Sequence, residues 1–256
     1  MISRRQFAFL LAALPAAGRA VDTPADADPF GSLQWPDLRR EFFGDAPVEF
    51  DARVVVRAPP FAEDAMNVPI AVDASALEGI EALVVFVDRN PIRKVLEYVP
   101  LGAAPALSLR IKLEQGSPVR AAARTRDGRW HVGGVRVEAA GGGCTVPGAT
   151  RRDGSWARTL GQVGARLFAA EASRPARLRI AVMHPMDTGL VGGIPAFYLS
   201  RLTLRDAAGR ELLRLATFEP VSENPVFGFD FASPPARPLR LVGVDNNGNR
   251  IDVPIE

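Results

Sequence analysis

The 256-residue chain has one cysteine, Cys144, set in Ala139-Ala140-Gly141-Gly142-Gly143-Cys144-Thr145-Val146-Pro147-Gly148. A thiol on a run of glycines has no neighbouring side chains to shield it and a backbone free to bend in almost any direction. The pattern predicts a reachable sulfur nucleophile on a loop, with Gly141, Gly142 and Gly143 as its hinge, rather than a cysteine buried inside a periodic apolar run. The other chemistry-bearing residues are sparse. With only two histidines, His131 and His184, and one cysteine, no structural zinc set can form, and no carboxylate spacing beside either histidine suggests a catalytic metal. A Cys–His nucleophile pair finds no third orienting group in the sequence. Asp245-Asn246-Asn247-Gly248-Asn249 approaches a calcium loop, but its glycine falls at the fourth position and Arg250 takes the sixth, so a hairpin turn is expected instead. The triple glycine lacks the lysine of a phosphate-binding loop and the spacing of a dinucleotide fingerprint. No metal, no cofactor and no enzyme signature is therefore expected.

The ends of the chain bound the setting. Arg4 and Arg5, the apolar stretch Phe7 to Ala17 and the small-residue site Gly18-Arg19-Ala20 read as an export signal over residues 1–20, and Ser3-Arg4-Arg5-Gln6-Phe7 fits the twin-arginine pattern. A periplasmic protein is expected, with no transmembrane segment in the mature chain. Removing three arginines and no acid takes the formal charge from +2 to −1. Only Lys94 and Lys112 are lysines, and no basic run with interleaved aromatics points to nucleic acid. In an oxidising compartment a single cysteine means intermolecular pairing or a free reactive thiol.

The elements that must position the thiol read as strands almost throughout. Val21 to Phe30, rich in Ala, Asp and Pro, reads as a disordered leader, and Trp35 to Phe43 forms one short helix, with Pro36 where a helix start tolerates it. Strands are expected at 51–57, 68–72, 80–87, 107–113 and 119–125, then a hairpin at Asp127-Gly128 and a last strand at 135–138. Gly141 to about Gly161 has little period and reads as a linker. A second set of strands follows near 177–183, 197–205, 211–218, 227–231, 239–244 and 251–255. The division expected is a signal over 1–20, leader and helix over 21–44, a β-sandwich over 45–140, a cysteine-bearing arm and linker over 141–161, and a second β-sandwich over 162–256.

His184-Pro185-Met186-Asp187-Thr188-Gly189, Pro195-Ala196-Phe197-Tyr198, Ser222-Glu223-Asn224-Pro225 and Asp245-Asn246-Asn247-Gly248 resemble the SoxZ subunit of the thiosulfate-oxidising system. The upstream half resembles SoxY, through Val68-Pro69-Ile70, Asp88-Arg89-Asn90-Pro91, Arg110-Ile111, Val119-Arg120-Ala121, Asp127-Gly128-Arg129 and Gly142-Gly143-Cys144. The resemblance implies an all-β protein of two immunoglobulin-like sandwiches. It further implies that Cys144 carries covalent sulfur intermediates from one enzyme to the next and that the SoxZ-like half is a packing partner and docking surface. The fused form is most similar to the SoxYZ-like carriers associated with quinoprotein dehydrogenases. One departure stands out: the family arm ends in Gly-Gly-Cys-Gly-Gly at a free terminus, whereas here Thr145 and Val146 follow and the chain runs on. Ten residues from Gly141 to Thr150 extend at most about 33 Å, and a loop closed at both ends projects under half of that.

The function expected is that of a periplasmic, non-enzymatic carrier, which holds a persulfide, a thiosulfonate or a related group on Cys144 for partner redox enzymes of a Sox-like or quinoprotein dehydrogenase system. The alternative is a structural accessory of a quinoprotein dehydrogenase that uses Cys144 only for a disulfide-linked homodimer. Neither nucleic acid nor membrane is an expected partner.

Overall fold

The computed structural model describes residues 27–172 and 174–256. The export signal and the start of the leader lie outside the described residues. A nine-residue helix α1 (Trp35–Phe43) precedes nine strands: β1 (Val48–Phe50), β2 (Val55–Arg57), β3 (Phe61–Ala62), β4 (Val68–Asp73), β5 (Ile80–Val87), β6 (Lys94–Val99), β7 (Ala106–Ile111), β8 (Ser117–Thr125) and β9 (Trp130–Ala139). Two short helices follow, α2 (Ala149–Asp153) and α3 (Trp156–Thr159). The chain closes with β10 (Val163–Phe168), β11 (Ala176–Val182), β12 (Leu199–Arg205), β13 (Glu211–Thr217), β14 (Val226–Phe231), β15 (Leu239–Asp245) and β16 (Arg250–Ile255). Among the described residues no helix is long and apolar enough to cross a membrane.

The strands form two layers, and both layers run through both halves of the chain. The larger sheet has the order β1-β9-β8-β5-β6-β13-β12-β15-β16, with β3 also on β9, and the smaller has the order β10-β11-β14-β7-β4-β2. The halves meet twice. In the larger sheet β6 pairs antiparallel with β13, placing Tyr98 opposite Leu215, and in the smaller β7 pairs with β14, placing Leu107 opposite Phe229. The two expected sandwiches are present, and more than the connecting loop joins them. Each half is a sandwich, but the two are sewn edge to edge into shared sheets. The free edge of each half would otherwise expose unpaired N–H and C=O groups.

Binary pattern explains the layers. On β4 the residues Val68, Ile70 and Val72 point inward while their neighbours do not, the period-two signature of a strand with one buried face. β5 is a continuous apolar run because both of its faces are covered. Leu83, Val85 and Val87 join a core that spans both halves, whereas Val84 and Phe86 pack under Trp35, Leu38 and Phe43 of α1. At the seam the Tyr98 ring stacks on Phe229 with centroids 5.8 Å apart, and its hydroxyl donates to the Ala104 carbonyl at 2.8 Å.

The leader is not loose throughout. Fully buried Arg120 donates to both oxygens of Asp88 and both of Asp28, at 2.7–2.9 Å, and the Phe30 and Trp35 rings cover its guanidinium. A buried cation needs such partners, and Asp28 supplies half of them from a segment that composition alone reads as a tail.

Candidate functional site at Cys144

The cysteine lies at the seam between the halves, and it is buried: Cys144 is 1% exposed, while Thr145 and Val146 beside it reach solvent. This overturns the expectation of an unshielded thiol, and the reason is the glycines themselves. Gly141 and Gly142 take φ of 110° and 82°, which turns the chain back after β9. At Gly143 any Cβ would overlap the carbonyl oxygens of Ala65 and Leu113, so this glycine is required by close backbone approach. The glycine run lets main chain pack on main chain and carries the thiol inward. In the seated state it is a fitted turn, not a hinge.

Residues of both halves hold the turn. From the first half, Leu113 O accepts the Gly143 N–H at 3.1 Å and Glu114 O accepts that of Gly142 at 3.1 Å. The Glu114 carboxylate accepts the Cys144 N–H and the Thr145 hydroxyl, both at 3.0 Å. From the second half, Thr188 Oγ1 donates to the Cys144 carbonyl at 2.6 Å. Farther along, Glu223 accepts the N–H and hydroxyl of Thr150 at 3.2 Å, at the start of α2. Asp187 pairs with Arg151 of the same helix through Nε at 2.8 Å and through Nη2, and the Arg151 guanidinium lies 4.3 Å from the Trp156 ring centroid.

Three of these holding residues, Asp187, Thr188 and Glu223, belong to the His-Pro-Met-Asp-Thr-Gly and Ser-Glu-Asn-Pro motifs. The two motif loops are cross-braced: Asn224 N–H donates to the His184 carbonyl at 2.8 Å and His184 N–H donates to Asn224 Oδ1 at 3.3 Å. Met186 and Asn224 are the non-glycine residues with positive φ among the described residues, at 50° and 48°. Side chains seldom adopt that conformation unless the surroundings impose it, and it concentrates where a site is being shaped. Sequence reasoning assigned these motifs to packing and docking; their bonds to the arm depend on contacts too distant in sequence for spacing to reveal.

Burial sets the electrostatics. Loss of water pushes the Cys144 thiol up to about 12; the Lys112 ammonium pulls it down and Glu114 pushes it further up. Lys112 is itself 3% exposed, and burial lowers it to about 8. At neutral pH the seated sulfur is a protonated thiol, which is a poor nucleophile.

Neither histidine is hydrogen-bonded to Cys144. His184 Nδ1 accepts the Met186 N–H at 3.1 Å, and its Nε2 faces Asp245 Oδ2 at 3.5 Å without a hydrogen-bond partner; burial lowers this ring to about 4. Asp245 instead accepts the N–H groups of Asn247 and Asn249, both at 2.9 Å, in the hairpin turn between β15 and β16. His131 corrects another expectation, because carboxylates do stand beside it. β1 runs parallel to β9 with Glu49 opposite His131, so Glu49 Oε1 and Asp51 Oδ2 lie 3.0 and 2.9 Å from Nδ1, close enough for the three residues to share an ion. Arg53 already spans both Asp51 oxygens at 2.6–3.0 Å and holds that carboxyl far below the usual range.

Comparison with known proteins matches this division. Residues 39–144 match the family of Sulfur oxidation protein SoxY, the match ending on the buried cysteine, and residues 166–253 match that of Sulphur oxidation protein SoxZ. No curated protein matches the chain. Among solved structures, the sulfur carrier protein SoxY from Chlorobium limicola f thiosulfatophilum is similar over 42% of this chain and 96% of its own, at 21% identity and a TM-score of 0.37. With the two domains matched in series over most of its length, the chain belongs to the SoxYZ family of sulfur oxidation proteins, its SoxY and SoxZ parts being halves of one polypeptide.

Proposed function

We propose that the protein is a periplasmic carrier that holds a sulfur-containing group covalently on Cys144, shelters it at the seam, and presents it to partner redox enzymes without catalysing a reaction itself. The observation that supports this most is the holding of the cysteine turn by both halves at once, through Glu114 on one side and Thr188 on the other. A thiol needed only for structure would need no such apparatus, and one kept as a substrate gains from protection against stray oxidation. Delivery then requires the turn to open, with a docking enzyme competing for the bonds that Glu114 and Thr188 make.

The same geometry disfavours Cys144 as a constitutive link between two copies, since a sulfur 1% exposed meets no second thiol while seated. Fusion keeps the halves together in dilute compartments, because a covalent link makes their association intramolecular. The test is genetic and chemical together. In the native host, Cys144→Ser should abolish oxidation of the sulfur substrate while leaving the level of folded protein in the periplasmic fraction unchanged. Undiminished oxidation by that variant, or a stoichiometric disulfide dimer of the wild type on non-reducing gels, contradicts the reading.

A further inference from the structure

Lys112 is a buried cation beside the cysteine turn. It follows β7, its side chain is buried, and its ammonium donates to the carbonyl oxygens of Met186 and Glu219. An ammonium has three N–H donors, so two neutral carbonyls leave one without a partner among the described residues. Among the described residues no carboxylate lies within ion-pair distance of it, whereas buried Arg120 has two. Buried charges are normally paired, because an unpaired one forfeits its hydration without return. The position of Lys112 suggests what completes it. The next residue, Leu113, accepts the Gly143 N–H, and Met186, which receives the ammonium, is two residues from Thr188, which bonds the Cys144 carbonyl. Lys112 is also the cation whose charge acts on the Cys144 thiol.

We propose that Lys112 is the anion-holding residue of the carrier site, its ammonium pairing with the negative charge of the group borne on Cys144, whether a thiolate, a persulfide anion or a terminal sulfonate. The inference rests on the carrier reading and adds a specificity to it: anionic sulfur groups are retained at the seam and neutral ones are not. Other charged groups nearby are engaged elsewhere. Asp187 is on Arg151, Glu223 on the start of α2, and Glu114 on the cysteine turn. Glu219 acts on the ammonium from beyond ion-pair distance.

Two reagents that differ in charge test this on the full-length protein. Tetrathionate loads an anion: the Cys144 thiolate attacks an inner sulfur, the central S–S bond breaks, thiosulfate leaves with the electron pair, and a thiosulfonate remains on the cysteine. Methyl methanethiosulfonate loads a neutral methylthio group by the same displacement, with methanesulfinate leaving. The ratio of the two loading rates cancels the thiolate fraction and the opening of the turn. Lys112→Met should lower the anion-to-neutral ratio on the order of tenfold, the scale of one charge-assisted hydrogen bond, and Lys112→Arg should restore most of it. Thiosulfonate-loaded wild type should also melt above its methylthio-loaded form, and Lys112→Met should erase that order.

In wild type alone the ratio should fall as pH rises through about 8, where the lysine loses its proton. This keeps the test open should Lys112→Met not fold. A ratio indifferent to both the substitution and pH overturns the role of Lys112. Loss of the carrier reading shows separately, as protein from the native host with no reductant-labile group on Cys144.

Discussion

At the scale of single residues, access to the Cys144 sulfur is set by its burial and by the glycine that seats it. Sequence shows that Cys144 is alone and flanked by glycines; it does not show that Gly143 is glycine because Ala65 and Leu113 leave no room for a side chain. The same limit applies to His184, which reads as an isolated histidine and proves to be a neutral ring accepting the Met186 N–H within the loop that holds the arm. Its fold-imposed pKa of about 4 lies below the ordinary 6.5. As pH falls below 6.5 the unfolded chain binds a proton there and the folded one does not, so stability is lost until about pH 4. The loss is about 2 to 3 kcal/mol. His184→Asn keeps an acceptor for the Met186 N–H and removes the titration. Urea unfolding at neutral pH and near about pH 4.5 should therefore show a pH-dependent loss smaller by about 2 to 3 kcal/mol in the variant. An equal loss in both proteins would place the acid sensitivity elsewhere.

At the scale of elements, segments with a strong apolar pattern were readable: the expected 80–87 is β5, and the expected helix over Trp35 to Phe43 is α1. Among the elements not expected, β6 has an apolar strand pattern that was passed over, whereas the following three lack one. β10 is an edge strand with mostly exposed residues and a glycine, so it shows no alternation. α2 and α3 bury no residue and carry no apolar stripe; they exist as anchors for Arg151 and Trp156 beside Asp187 and Phe197. The arm is the element on which function turns. Gly143→Ala should push it out of its seat, costing about 1–3 kcal/mol of stability as overpacking does and accelerating alkylation of Cys144 in the folded protein severalfold or more. A hinge glycine on a free arm predicts no change in either quantity, and iodoacetamide kinetics with intact-mass readout decide between the two.

At the scale of the whole molecule, two β halves were legible and their union was not. The pairing of Tyr98 with Leu215, or of Leu107 with Phe229, joins residues more than a hundred apart, and periodicity carries no information at that range. Because both sheets and the main core cross the seam, the halves should unfold as one. Calorimetry should give a single transition with matching calorimetric and van't Hoff enthalpies; two separated transitions would mean that the seam is a weak contact. A rigid seam also explains how a tethered arm can serve a carrier: the site is assembled from both halves, and only the short turn at Cys144 has to move. The central claim, that this turn bears cargo, is tested most directly by the intact and peptide mass of the protein isolated without reductant from its native host during sulfur oxidation. The account predicts a fraction of Cys144 bearing added sulfur or sulfonate that disappears on reduction, and a cysteine found only as bare thiol or as an intermolecular disulfide would contradict it.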